Sequence, residues 1–264
     1  MKVARFSHGA SDHSGGTISY GILDEDDLVV LDGDPMFSGF NPTGERIPLT
    51  AATLLAPVIP RSKVVAIGKN YSDHVNEMGG DAREDVADPI VFLKPNTSVI
   101  GPEDAILLPQ DSRQVEHEGE LAIVIGSVAK NVRAEDYADV VFGYTIANDV
   151  TARDLQKADG QWTRAKGFDT FCPLGPIIET ELVWDECAIE VRVNGKVQQS
   201  GNTGDMIHGV PEIVAFVSRI FTLLPGDVIL TGTPAGVGVI ANGDTVAIDI
   251  EGIGTLFNPV VSRA

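Results

Sequence analysis

Apolar residues in this chain come mostly in short runs, and few of those runs carry a helical period. Near the N-terminus, 2–6 and 17–23 alternate apolar and polar residues as strands do, and 28–31 reads as a third short strand. Turn-forming text follows at Gly33-Asp34-Pro35 and Asn41-Pro42-Thr43-Gly44. Pro57 and Pro60 then bracket a boundary, so the pattern predicts a small β-rich domain over 1–60 and a main domain over 61–264.

In the main domain, 63–67 and 90–93 read as buried strands separated by a polar stretch, 70–88, whose part 73–78 suits a short helix. Strands are predicted at 120–125 and 140–147, and a helix over 150–157. The segments 189–193 and 196–198 flank Asn194-Gly195, a dipeptide that tolerates the positive φ of a type I′ turn, so they predict a hairpin. A helix over 211–223 follows from Pro at its first turn and from Ile213, Phe216, Val217 and Ile220 on one face. Pro225-Gly226-Asp227 turns into a strand at 228–230, and 245–250 and 255–261 are strands around Gly252-Ile253-Gly254. Many short strands with few helices give a fold that is mainly β with some α, a β-sandwich or distorted barrel rather than a doubly wound sheet.

Composition narrows the function. The chain has 264 residues, 43% hydrophobic, enough for a sizeable core. Its 38 acidic and 19 basic residues leave a formal charge of -19, which repels phosphate backbones and anionic lipid and argues against nucleic acid or a membrane surface as partner. An anionic substrate would need a local positive centre. Cys172 and Cys187 lack Cys or His neighbours at zinc-ligand spacing and read as reduced core thiols. Neither a signal peptide nor an apolar run near ~18 residues is present, so the expected location is the cytoplasm.

Within that frame, Glu118-Gly119-Glu120 opens the apolar run Leu121-Ala122-Ile123-Val124-Ile125. Alternation puts Glu118 and Glu120 on one face, where their repulsion calls for a cation, and Gly119 leaves the other face open for close packing. A solvated strand end would carry the same residues. Asp149 follows the 140–147 strand and suits the N-cap of the next helix; Arg153 and Gln156, four and seven residues on, would then share its face. Lys166 taken alone is a surface lysine. His74 and Glu77 are three apart on the short helix, so the carboxylate can orient the imidazole as a base. The stretch 231–238 is Gly-rich but is neither a P-loop nor a dinucleotide fingerprint; a tight loop bringing the Thr233 hydroxyl to a ligand fits it, as does a plain turn.

Taken together and in order, these stretches resemble the fumarylacetoacetate hydrolase family. The resemblance rests on Ile67-Gly68-Lys69-Asn70-Tyr71-Ser72-Asp73-His74, Phe92-Leu93-Lys94-Pro95, Glu118-Gly119-Glu120-Leu121-Ala122, Asn148-Asp149-Val150-Thr151-Ala152-Arg153-Asp154, Lys166-Gly167-Phe168-Asp169 and Gly226-Asp227-Val228-Ile229-Leu230-Thr231-Gly232-Thr233-Pro234. It implies a mixed β-sandwich roll with a small N-terminal domain, usually a homodimer, and Mg²⁺ or Mn²⁺ at the site. It implies metal ligation by Glu118, Glu120 and Asp149. Substrate contacts would come from Arg153, Gln156 and Thr233, and catalysis from Lys166 and from a His74–Glu77 pair on a lid. The extra Asp ligand that larger hydrolases take from an N-terminal segment has no equivalent here. Asn202-Thr203 and the lid are expected to close over the substrate's far end.

The chemistry implied is an enolate stabilised by metal, formed from a small anionic 2-oxo acid or 2-hydroxydienoate. Isomerisation of a 2-hydroxyhepta-2,4-diene-1,7-dioate and decarboxylation of oxaloacetate are favoured over fumarylacetoacetate or acylpyruvate hydrolysis. A non-catalytic metal- or ligand-binding domain is the alternative from another class, and the His74–Glu77 pair argues against it. A metal-dependent phosphatase lacks its expected His and Asp ligands.

Overall fold

A computed structural model of the chain describes residues 1–9, 16–77 and 88–262. Met78 of the helix expected over 73–78, and Gly79-Gly80 after it, lie outside the described residues.

Most strands join one mixed sheet of twelve. Along its main path the order is Pro42–Pro48, Asp27–Leu31, Thr17–Asp24, Lys2–His8, Cys172–Glu179, Val141–Asn148, Gly119–Ile125, Val228–Leu230, Val64–Gly68 and Ile90–Lys94. The fold is mainly β with some α, and the sheets stay open. The N-terminal strands extend this same sheet, because Lys2 and Val3 pair with Glu179 and Ile178. A five-stranded sheet containing Ala188–Val193, Lys196–Asn202, Thr245–Ile250 and Gly254–Ser262 packs against it, and a three-stranded one contains Val115–His117.

The strand Gly119–Ile125 is buried on both faces, and its side chains divide by size. Leu121, Ile123 and Ile125 point into one core with Val191, Ile248 and Ile250 of the five-stranded sheet. Ala122 and Val124 point into a second core with Ala66, Ala147, Leu174 and Leu230. Gly119 belongs to the first face, where a Cβ would stand 2.4 Å from Val191 Cγ2. The glycine between the two glutamates thus permits the second sheet to approach, as its position predicts.

Local patterns hold well. The hairpin turns on Asn194 and Gly195 at φ 51° and 75°, and the long amphipathic helix runs Val210–Ile220. Two expectations are corrected. The turn text at 41–44 begins a strand, Pro42–Pro48, because Asp27–Leu31 supplies a partner edge. The helix expected from 150 begins at Arg153, with Ala152 as its N-cap. Thr151–Ala152 is held as a strand by Val115 and Glu116, so Asp149 is not a helix cap. No described helix is long and apolar enough to cross a membrane.

Candidate active site

The ends of neighbouring central strands bring the acidic residues together. Gly119 pairs with Asn148, the Asn148 side chain accepts the Glu118 N–H at 3.0 Å, and the Asp149 N–H donates to the Glu118 carbonyl at 2.9 Å. Backbone pairing therefore fixes Glu118 beside Asp149. Two residues on, Glu120 reaches the same space. One carboxylate oxygen from each of Glu118, Glu120 and Asp149 lies within 4.8 Å of the others. All three side chains are buried and line a cavity of about 280 Å³. Asp149, Arg153 and Gln156 share that cavity, but through strand ends and a later helix rather than one continuous helical face.

So many buried carboxylates need compensation. Lys166, at the end of the short helix Thr163–Lys166, donates to Glu118 Oε2 at 2.7 Å and to Asp149 Oδ2 at 2.6 Å. Arg153 donates through Nε to Glu116 at 2.7 Å, through Nη2 to Glu118, and through Nη1 to Gln156 Oε1 at 2.8 Å. Lys94 donates to Asp149 Oδ1 at 2.5 Å and to the Val150 carbonyl at 3.3 Å. Three cations thus face Glu116, Glu118 and Asp149, and Glu120 is the fourth carboxyl. Among the described residues it takes one hydrogen bond, from the Gly232 N–H at 2.7 Å.

The electrostatics follow from that count. Burial disfavours the Glu118 charge, but Lys166 and Arg153 outweigh it and hold its carboxyl far below the usual range. Burial and the charges of Asp149 and Glu118 push Glu120 well above it. Burial opposes the Lys166 charge, yet Asp149 and Glu118 overcome this and keep it an ammonium. A divalent cation fits the arrangement. Three carboxylates offer hard oxygen donors, and Glu120 is the buried carboxyl that no cation contacts among the described residues.

On the other side of the cavity, the chain turns at Lys69, φ 59°, into the helix Ser72–Glu77. Asn70 holds this turn by donating to the His208 and Thr231 carbonyls and accepting the His208 N–H. His74 lines the cavity, with Nδ1 3.3 Å from Glu77 Oε2, and Glu77 also accepts the Gly236 N–H at 3.1 Å. Thr233, from the same Gly-rich loop, lines the cavity too. Ile67, Val75, Phe92 and Trp162 give the apolar part of its wall. Asn202 and Thr203 are not among its lining residues: Asn202 caps the 3₁₀ turn Thr203–Asp205, and Thr203 bonds Cys187.

Sequence reading gave no role to Lys94, Glu116 or Gln199. Lys94 carried a signal, since a lysine ending the apolar run Ile90–Lys94 must find a partner if the strand is buried.

The profile of the fumarylacetoacetate (FAA) hydrolase C-terminal family matches residues 63–261, and an Rv2993c-like N-terminal profile matches 1–57. Protein Rv2993c of Mycobacterium tuberculosis is 57% identical over 234 residues, covering 88% of this chain and 85% of that one. The mitochondrial oxaloacetate tautomerase Fahd2a of Rattus norvegicus is 43% identical over 226 residues, covering 81% and 71%. Among solved structures, a 2-hydroxyhepta-2,4-diene-1,7-dioate isomerase from Mycobacterium marinum has a TM-score of 0.88 and 47% identity over 100% of this chain and 99% of its own. A maleylpyruvate hydrolase from Sphingobium sp. SYK-6, in complex with manganese(II) and pyruvate, has a TM-score of 0.80 and 30% identity over 100% of both chains.

Proposed function

The chain belongs to the fumarylacetoacetate hydrolase family, and from that membership we propose that it is a metal-dependent isomerase or tautomerase of small 2-oxo and 2-hydroxydienoate diacids. The observation that carries this reading is the convergence of Glu118, Glu120 and Asp149 on a cavity that also exposes His74, Arg153, Gln156 and Lys166. The three carboxylates would hold Mg²⁺ or Mn²⁺. When bound, such an ion supplies positive charge to an enolate oxygen.

The remaining steps belong to side chains whose hydrogen-bond capacity can be counted. A guanidinium has five N–H groups and Arg153 spends three on Glu116, Glu118 and Gln156, leaving two for a substrate carboxylate. Gln156 accepts from Arg153 through Oε1, so its NH₂, which has no partner among the described residues, is a second donor at the cavity that Gln156 lines. Lys166 spends two of its three N–H groups and keeps the third for the developing oxyanion. As an ammonium, it donates rather than abstracts. The base is His74: Glu77 holds its Nδ1–H, leaving the Nε2 lone pair to take a proton from the carbon next to the keto group. The same dyad would activate water in a hydrolysis, and the same enolate would form in decarboxylation. A homodimer remains part of the proposal.

Oxaloacetate supplies the test. Enol–keto exchange, followed by absorbance, and release of pyruvate and CO₂ are measured with Mg²⁺ or Mn²⁺, with excess EDTA, and without enzyme. Metal-dependent tautomerisation lost in E118A supports the assignment. Pyruvate release would redirect it to a decarboxylase, and an active, metal-loaded E118A would overturn it. H74A should lose proton transfer while still binding metal.

A further inference from the structure

Gln199 lies in the strand Lys196–Asn202 of the five-stranded sheet, is fully buried, and touches none of the proposed catalytic atoms. Its amide is nevertheless fully spent. Oε1 accepts the Gly119 N–H at 3.1 Å and stands 3.1 Å from His117 Nδ1. Nε2 donates to Thr233 Oγ1 and to the Pro234 carbonyl, both at 2.7 Å.

The polarity of this node admits one solution. The Gly119 N–H can only donate and the Pro234 carbonyl can only accept, so the amide cannot be reversed. His117 must then carry its proton on Nδ1, and its buried Nε2, without a partner among the described residues, is the bare nitrogen. Thr233 Oγ1 receives a proton from Gln199 and must send its own to the Gly119 carbonyl at 2.8 Å. Its hydroxyl therefore has no proton left for a ligand. The Thr233 main-chain N–H meets no acceptor among the described residues, although the residue is buried and lines the cavity. In a buried residue that lines a cavity, a main-chain N–H without a protein acceptor is the donor left for whatever fills it.

We propose that Gln199 is a positioning residue: by fixing the Thr233 hydroxyl and the Pro234 carbonyl, it makes the Thr233 N–H the loop's donor to an anionic substrate. This rests on the 2-oxo acid reading above. Its effect falls on binding of the anion more than on proton transfer, because His74 and Lys166 lie outside the node.

The test uses Q199M, which keeps the side chain's length and removes its polarity. The first readout is calorimetric binding of oxalate, a planar dianion shaped like the enolate of a 2-oxo acid, to protein saturated with Mg²⁺. Loss of an outer partner that orients a metal ligand costs about 10- to 100-fold, and a weakening of oxalate in the same range is expected in folded Q199M. KM for oxaloacetate should rise in step, with kcat changed less than about threefold if only ground-state binding is lost. The second readout is the long-range ¹H–¹⁵N spectrum of wild-type protein, where His117 should show protonated Nδ1 and bare Nε2. A folded Q199M with unchanged oxalate affinity, or a His117 that carries no proton on Nδ1, overturns the proposal. Wild-type protein that binds Mg²⁺ but no oxalate would instead sink the 2-oxo acid reading, and this inference with it.

Discussion

Replacing Glu120 by glutamine removes the buried carboxyl that no cation contacts among the described residues, and its consequence for stability follows from the charge arrangement. Burial and the neighbouring charges of Asp149 and Glu118 raise its pKa well above 4.5 in the folded chain. The native state therefore keeps a proton that the unfolded state has lost. Where that holds, unfolding free energy falls as pH rises, by at most about 1.4 kcal/mol per pH unit. The window opens near pH 4.5 and closes at the folded pKa. For a chain of 264 residues the unfolding entropy is about 0.55 kcal/mol/K, so Tm should drop by up to about 2.5 °C per unit. Burial holds His117 below 6.5, which makes stability rise with pH below that value; E120Q shares this term, so it cancels in the difference. Glu118 has the opposite sign to Glu120, and its contribution is lost only below pH 4.5. The assay is thermal unfolding in EDTA from pH 4.5 upward, for wild type and E120Q. The wild-type minus E120Q difference in Tm should fall with pH in EDTA, and saturating Mn²⁺ should remove the fall. Metal affinity of wild type should rise by up to about tenfold per pH unit in the same window, with proton release. Parallel Tm curves in EDTA would refute the electrostatic reading of the site.

Lys94→Met leaves Asp149 short of a buried partner 2.5 Å away and should cost about 3–5 kcal/mol by denaturant unfolding, with K94M/D149N recovering part of the loss. Full stability in K94M would show that the pair contributes nothing. Gly119→Ala places a methyl 2.4 Å from Val191 Cγ2 and 3.1 Å from Ile248 Cγ2, at a cost of about 1–3 kcal/mol in the same assay. V191A should relieve much of that cost; no relief would mean the clash lies elsewhere. Burial pushes the Cys172 thiol up to about 12 and the Cys187 thiol also upward. Both should therefore resist a thiol reagent until the chain unfolds, and titration at native pH checks this.

Much of the fold was legible because its signals are local. Strand alternation, the Asn194-Gly195 turn and the apolar face of Val210–Ile220 depend on near neighbours, and all three appear in the structure. The failures were local signals overruled by a distant edge. Asn41-Pro42-Thr43-Gly44 has turn chemistry but meets the strand Asp27–Leu31. Asp149 has cap chemistry, but pairing of Thr151–Ala152 with Val115 and Glu116 delays the helix to Arg153.

For the site, the sequence by itself pointed to Glu118 and Glu120 as a pair and to Gly119 as a point of close approach, although Glu118 falls between the strands Val115–His117 and Gly119–Ile125. Family resemblance supplied the order of the other candidates. Only the tertiary structure decided which cations meet which carboxylates. Lys94 reaches Asp149 across 55 residues, Lys166 reaches Glu118 across 48, and Gln199 reaches Gly119 across 80. Such pairings are set by the order of strands and by which loops end at the same sheet edge. Burial then raises the cost of leaving any of those charges alone, a quantity that no single stretch of sequence carries.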